Sequence, residues 1–253
     1  MGRNLIFCFS GTGNSLKASK EIVSILGDTE IVLMKNAYVL SGKYDRIGFV
    51  FPSYAGGVPN AVLQYIKSLD IKIDSTDYVF SVVTYGGADR NTLPMLRNAL
   101  AKKGVSLKYG KALVTVGNYI AMYPIKTDRN EILDKADYVA AQYAREIQEK
   151  VTTGIGKEKF AKKLFYIAGN WYFKLKAKQL GVSDDCSSCG LCEKLCPTGS
   201  VKIENGKPVF NWKTCAQCMA CVQWCPKGSI NCGKETKERA RYHHPDIKAD
   251  ELT

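Results

Sequence analysis

The sequence predicts an α/β protein in two parts: a doubly wound, five-stranded parallel sheet of order 2-1-3-4-5, followed by a small cysteine-rich domain. Three observations lead there. Short β-branched and aromatic runs alternate with helical patterns through residue 155, a stretch of glycines and hydroxyls follows the first run, and eight of the ten cysteines fall in two matched copies of one motif from residue 186 onward. Strands alternating with helices imply a parallel sheet covered on both faces. Five such units suit this strand order, in which ligands sit at the carboxyl ends of the strands.

In chain order, the strand runs are Leu5 to Phe9, Ile31 to Met34, Ile47 to Phe51, Tyr78 to Val83 and Ala112 to Val116. Between them, "NSLKASKEIVSIL", "PNAVLQYIKSL" and "LPMLRNALAKK" repeat apolar residues every three or four positions, and "NEILDKADYVAAQYAREIQEKV" follows the last strand. Residues 156–182 read as a basic amphipathic linker helix, with Phe160, Leu164, Ile167, Ala168, Trp171 and Leu175 on one stripe. Seven lysines against one glutamate in residues 157–182 supply half of the net charge of +12. Packing the two domains together is the expected role of this helix, and attachment to a membrane surface is the alternative. Nucleic-acid binding is not expected, because no binding module accompanies the lysines. The cysteine-rich domain spans residues 183–232, and residues 233–253 form a tail whose "RARYHHP" is expected to be a solvated terminus.

No run approaches eighteen uninterrupted apolar residues, and the run after Arg3 breaks at Ser10 and Gly11, too early for the apolar core of a signal peptide. A cytoplasmic protein without a transmembrane segment is therefore expected. In that compartment thiols stay reduced, so cysteines read as metal ligands rather than disulfides.

The two copies are "CSSCGLCEKLCPTGSV" at 186–201 and "CAQCMACVQWCPKGSI" at 215–230, both C-x2-C-x2-C-x3-C-P. Three cysteines within seven residues suit three corners of an iron–sulfur cubane, and in this run the fourth thiolate serves the other cluster. Zinc sites usually use two separated C-x2-C pairs instead. One [4Fe-4S] cluster is thus assigned to Cys186, Cys189, Cys192 and Cys225, and the second to Cys215, Cys218, Cys221 and Cys196. Between the copies, "VKIENGKPVF" reads as a hairpin turning at Asn205-Gly206. Cys8 and Cys232 are left as packing thiols.

Ser10-Gly11-Thr12-Gly13-Asn14-Ser15 falls between the first strand and the first helix, where free amides and the helix dipole favour an anion. A nucleotide triphosphatase loop needs a lysine that is missing, and a dinucleotide fingerprint needs a small residue where Leu16 stands. A phosphate monoester remains, beside the plainer reading of a tight strand-to-helix turn.

"S-G-T-G-N-S" resembles the phosphate loop of flavodoxin-like proteins, and "FPSYAGGVP" and "TYGGADRN", after the third and fourth strands, resemble their two ring-binding loops. This resemblance implies FMN, held by Ser10, Thr12, Gly13, Asn14 and Ser15 at its phosphate. At its ring it implies Pro52, Ser53, Tyr54, Ala55 and Gly56 with Thr84, Tyr85, Gly86 and Gly87. Tyr54 and Tyr85 would supply flat faces, and the Gly56–Gly57 peptide carbonyl would flip to meet the flavin N5 when that nitrogen is protonated. The tryptophan frequent in such loops is missing. Residues 183–232 are similar to a bacterial two-cluster ferredoxin, and nearly the whole chain resembles the flavodoxin-ferredoxin fusions of anaerobes.

The resemblance implies an electron carrier joining two [4Fe-4S] clusters to FMN, and the net charge of +12 leads to the expectation of bound anions or of a redox-protein partner with an acidic docking surface. The alternative is an FMN-dependent reductase of a small-molecule substrate fed by its own clusters, with Tyr119, Met122 and Tyr123 as candidate pocket wall. A third possibility is a binding or sensing module that uses its clusters for structure. No catalytic residue is assigned, since His243 and His244 are the only histidines and lie in the tail.

Overall fold

The computed structural model describes residues 3–253; Met1 and Gly2, which open the first predicted domain, lie outside the described residues. Strands β1 (Asn4–Cys8), β2 (Thr29–Leu33), β3 (Arg46–Pro52), β4 (Val79–Tyr85) and β5 (Leu107–Val114) form one sheet in the order β2-β1-β3-β4-β5. Every neighbouring pair is parallel. This is the flavodoxin-like order of a doubly wound sheet.

Strand alternation divides the interior into two layers. Leu5, Phe7, Ile47, Phe49, Phe51, Val79 and Val83 face one core, covered by Val62 and Ile66 of α2 (Asn60–Ser68) and by Leu96 and Leu100 of α3 (Thr92–Ala101). Ile6, Cys8, Val50, Phe80 and Val82 face the other, covered by α1 (Asn14–Leu26) and by Ala136, Ala140, Ala144 and Ile147 of α4 (Arg129–Gln148). Burying each large side chain removes it from water at a gain of about 1.5–3 kcal/mol, which is why the central strands read as unbroken apolar runs. The edge strand β5 starts at Leu107, ahead of the predicted Ala112. Its buried Leu107 and Tyr109 alternate with exposed Lys108, so the sequence shows no apolar run there.

Helix α5 (Phe160–Ala177) leads into β6 (Leu180–Val182), which pairs antiparallel with β9 (Ile230–Cys232). The cysteine-rich domain therefore reaches back into the predicted linker. Between these strands lie α6 (Leu191–Lys194), the antiparallel pair β7 (Val201–Glu204) and β8 (Lys207–Phe210), and α7 (Ala220–Gln223). Asn205 (φ 48°) and Gly206 (φ 75°) make the expected hairpin turn, since both central positions of a type I′ turn need positive φ. Cys8 and Cys232 are fully buried, as packing thiols should be.

Two expectations are corrected. The tail is not a solvated terminus: Tyr242, His244, Ile247 and Leu252 are buried, and Ile247 and Leu252 join the core formed by α1 and α4. The sequence shows this segment as polar because its few apolar residues are separated by exposed Pro245, Asp246 and Lys248. Helix α5 does pack on the first domain, but through the opposite face from the predicted stripe. Tyr166, Gly169, Phe173 and Ala177 turn inward, whereas Phe160, Leu164, Ile167, Trp171 and Leu175 are exposed. Both faces of the helix are apolar, so periodicity alone could not choose between them.

Candidate functional site

The three loops after β1, β3 and β4 converge at the carboxyl ends of their strands around a cavity of about 660 Å³. Ser10, Thr12, Asn14, Ser15, Pro52, Ser53, Tyr54, Ala55, Gly56, Thr84, Tyr85, Gly86 and Gly87 all line it. Gly13 does not. It caps α1 in a left-handed conformation (φ 99°), and a Cβ there would face His244 and Ile247 of the tail.

Around the first loop, hydrogen bonds sort donors from acceptors. The carbonyl of Gly11 accepts from the Trp224 indole N–H at 3.0 Å, and that of Thr12 accepts from the His244 amide at 2.8 Å. The amides of Gly11, Thr12, Asn14 and Ser15 have no protein acceptor among the described residues. Ser10 Oγ accepts from the Gly13 amide at 3.1 Å, and Thr12 Oγ1 accepts from Asn118 Nδ2, so each hydroxyl keeps its own proton to donate. Below them, Ser15 Oγ and Thr84 Oγ1 pair at 2.8 Å. Orphan amides at the start of a 13-residue helix, with hydroxyl protons beside them, fit a phosphate. Among the described residues, Arg90 is the only charged side chain on the cavity wall, and it lies over the Phe165 ring at 4.2 Å.

The loop after β3 is tighter than expected. Tyr54 and Gly57 exchange both backbone hydrogen bonds (2.9 and 3.0 Å) around Ala55 (φ 50°) and Gly56 (φ 73°). The Gly56 carbonyl also accepts from the Asn91 amide at 2.8 Å. The Gly56–Gly57 peptide is thus held at both its C=O and its N–H. Against this turn lies α5: a Cβ on Gly169 would stand 2.4 Å from the Ala55 Cβ, so only glycine admits the approach. Tyr166 Oη donates to the Val58 carbonyl at 2.7 Å. Tyr54 meets Phe9 and Phe173 edge-on, both at 6.3 Å between ring centroids, and burial pushes its phenol well above the usual range.

Further wall residues were not all legible in the sequence. Tyr119, Met122 and Tyr123 line the cavity together with Asn118 of the same segment after β5, while Phe165, Tyr172 and Phe173 join them unannounced. The α5 aromatics carry no motif, and only the packing of α5 brings them there. The cavity is also lined by Gln217, Cys218 and Met219 from the second cysteine motif. Gly11 touches that motif so closely that a Cβ would lie 2.4 Å from the Cys218 carbonyl oxygen.

Cys186, Cys189, Cys192 and Cys225 line a second cavity together with Ile203, Pro208 and Ile230. These are the cysteines that the sequence groups as one set, with Cys225 brought in from the other copy. Burial pushes the Cys192 thiol up to about 11, with Cys189 and Cys225 adding to the shift. In the other set, burial raises Cys215, Cys218 and Cys221, and Cys196 adds to the shift of each. Such buried, mutually repelling thiols become thiolates when a metal cation compensates them. Among the described residues, no three or more of His, Cys, Asp and Glu are grouped to hold a single metal ion, and the first set of cysteines surrounds a cavity. Amide donors are also in place, with Ser200 N–H to Cys196 Sγ at 3.1 Å and Gln217 N–H to Cys215 Sγ at 3.4 Å.

Residues 185–230 match the family model of the 4Fe-4S dicluster domain. Within the chain, 21 residues are 67% identical to an uncharacterized ferredoxin of Methanocaldococcus jannaschii, a match covering 8% of this chain and 34% of that protein. The match therefore spans about a third of that relative's length. The matched residues hold α6, β7, β8 and α7 and all eight cysteines of the two motifs. Among solved structures, the two-electron reduced flavodoxin of Megasphaera elsdenii is 17% identical and covers 56% of this chain and 98% of its own, with a TM-score of 0.39. The FMN-bound flavodoxin of Fusobacterium nucleatum is 16% identical (60% and 100% covered, TM-score 0.40). An FMN-dependent NADH-azoreductase of Bacillus anthracis is 11% identical (58% and 100% covered, TM-score 0.41). The fold assignment of the first domain rests on its strand order.

Proposed function

We propose that the protein is an electron-transfer iron–sulfur flavoprotein, with FMN in the 660 Å³ cavity and two [4Fe-4S] clusters in the dicluster domain. The observation that carries this reading is the meeting of the two sites at one wall, where Cys218 lines the cavity and Gly11 lies against its carbonyl.

The free amides of Gly11, Thr12, Asn14 and Ser15, with the hydroxyls of Ser10 and Thr12, hold the phosphate without a cation. Residues 52–56 and 84–87 hold the ring, with Tyr54 and Tyr85 beside it. Cys186, Cys189, Cys192 and Cys225 ligate one cluster, and Cys215, Cys218, Cys221 and Cys196 the other. When bound, the clusters exchange single electrons and the flavin one or two, so together they link one-electron and two-electron partners. Tyr119 and Phe173, the latter on α5, wall the ring site on its far side. Cys189 is the exposed member of its set, and the cavity it lines shares no residue with the larger one. This exposure supports a reading in which a redox protein with an acidic docking surface meets the molecule at the first motif, away from the flavin loops.

A second reading, a reductase of a small-molecule substrate, is favoured by the extension of the cavity past the three loops to Met122, Tyr123, Phe165 and Tyr172. Saturable reoxidation of the reduced protein by a small acceptor, lost in Tyr123→Ala, would select it.

The test is anoxic preparation of the full chain with flavin, iron and sulfide counted and spectra taken in the visible and by electron paramagnetic resonance. One flavin with two cubane clusters is expected. Colourless protein, or iron with no yellow chromophore, overturns the proposal.

A further inference from the structure

The outer face of α5 has no partner among the described residues. Phe160 (75% exposed), Leu164 (52%), Ile167 (54%), Trp171 (65%) and Leu175 (37%) follow one another at intervals of four, three, four and four along the 18-residue helix. That spacing makes one straight stripe about 23 Å long. Exposed Lys163 and Lys174 flank it, and no acidic residue occurs in the helix. At its carboxyl end Lys178 lies over the Trp212 ring at 4.5 Å, which extends the apolar and cationic surface onto the dicluster domain. Contiguous exposed apolar surface of this kind marks an interaction site rather than ordinary surface composition.

We infer that this face docks on a bilayer carrying anionic headgroups, with α5 lying in the interface plane. The charge decides the class of occupant. Seven lysines and one glutamate in residues 157–182 call for an anionic counterpart, and a second copy of the chain would set the same lysines against one another. Shape decides between lipid and protein. The stripe is the crest of a single helix whose other side is fixed to residues 54–58, so it offers a convex ridge with tryptophan and phenylalanine between lysines, the pattern of an interfacial helix. Among the described residues no helix is long and apolar enough to cross a membrane, so the attachment is peripheral. Ala168 and Phe165, exposed on the adjoining flank, also line the 660 Å³ cavity, so its rim borders the docking face.

The experiment is co-sedimentation of the full chain, prepared anoxically, with vesicles of phosphatidylcholine alone or mixed with phosphatidylglycerol. Binding to the mixed vesicles, weakened by salt, is expected. Ile167→Glu with Trp171→Glu, and separately Lys163→Glu with Lys174→Glu, should each lower partitioning at least about tenfold. All four side chains are outside both cavities, so unchanged absorbance and iron content will show that the variants fold. No binding to the mixed vesicles overturns the inference, as does binding that either pair of substitutions leaves unchanged. Dimerisation abolished by Trp171→Glu would assign the face to a second copy. Retention on polyglutamate that depends on the lysines but not on Ile167 and Trp171 would assign it to an acidic protein. Either result also overturns the inference, and none of these outcomes depends on whether FMN is bound.

Discussion

Tyr242 Oη donates a 2.6 Å hydrogen bond to Asn14 Oδ1, joining the C-terminal segment to the first turn of α1. The same asparagine donates through Nδ2 to the Val116 carbonyl at 3.0 Å, and Gln223 Oε1 accepts from the Tyr242 amide at 2.8 Å. One buried tyrosine thus bridges the tail, the dicluster domain and the phosphate loop.

Tyr242→Phe keeps the ring and leaves the Asn14 acceptor without its donor. A loss of about 1–2 kcal/mol in unfolding free energy is expected. Because Asn14 follows the loop amides directly, FMN affinity should fall several-fold while iron content stays constant. Thermal melts and flavin titration check both, and wild-type flavin affinity in the variant would refute the link.

Gly11→Ala puts a methyl group where the Cys218 carbonyl stands at 2.4 Å. Neither neighbour is a flexible side chain, so the two loops must separate, at a cost of about 1–3 kcal/mol. Reduction of the flavin through the clusters should slow by more than its binding weakens. Stopped-flow reduction at saturating FMN separates the two effects.

His244 predicts a pH dependence. Burial and Lys17 lower its pKa, against the pull of Asp246, Asp137 and Glu21, and its Nδ1 accepts the Asp246 amide at 3.2 Å only when unprotonated. The unfolded chain therefore binds a proton more readily than the folded one. Its contribution is present above the unfolded value of about 6.5 and is lost as pH falls through the lower folded value. Denaturation midpoints should decline over that window in the wild type and less steeply in His244→Asn.

Removing the clusters should unfold the protein in part. The dicluster core is small, built on Ile120, Ala121, Val201, Met219, Val222 and Ile230 beside buried thiols, while the five-stranded sheet has its own cores on both faces. Anoxic chelation should leave β1 to β5 protected in hydrogen exchange and expose residues 180–232. Uniform loss of protection would contradict this division.

Much of the site was legible because its geometry is local. The paired C-x2-C-x2-C-x3-C-P motifs, the Asn205-Gly206 turn and the three loops at strand ends each carry their structure in adjacent residues. Contacts made across the chain were not legible. Nothing near Gly13 announces His244, and nothing in α5 distinguishes Tyr166, which bonds the Val58 carbonyl, from exposed Trp171. The hold on the Gly56 carbonyl was hidden for the same reason, since the Asn91 amide that donates to it comes from the next loop.

The dicluster domain is secured on two sides, by α5 against residues 54–58 and by the tail against Thr12 and Asn14. A module clamped at both ends is no swinging arm. Solvent viscosity should leave transfer inside the molecule untouched, and the diffusional search falls entirely to whatever arrives from outside.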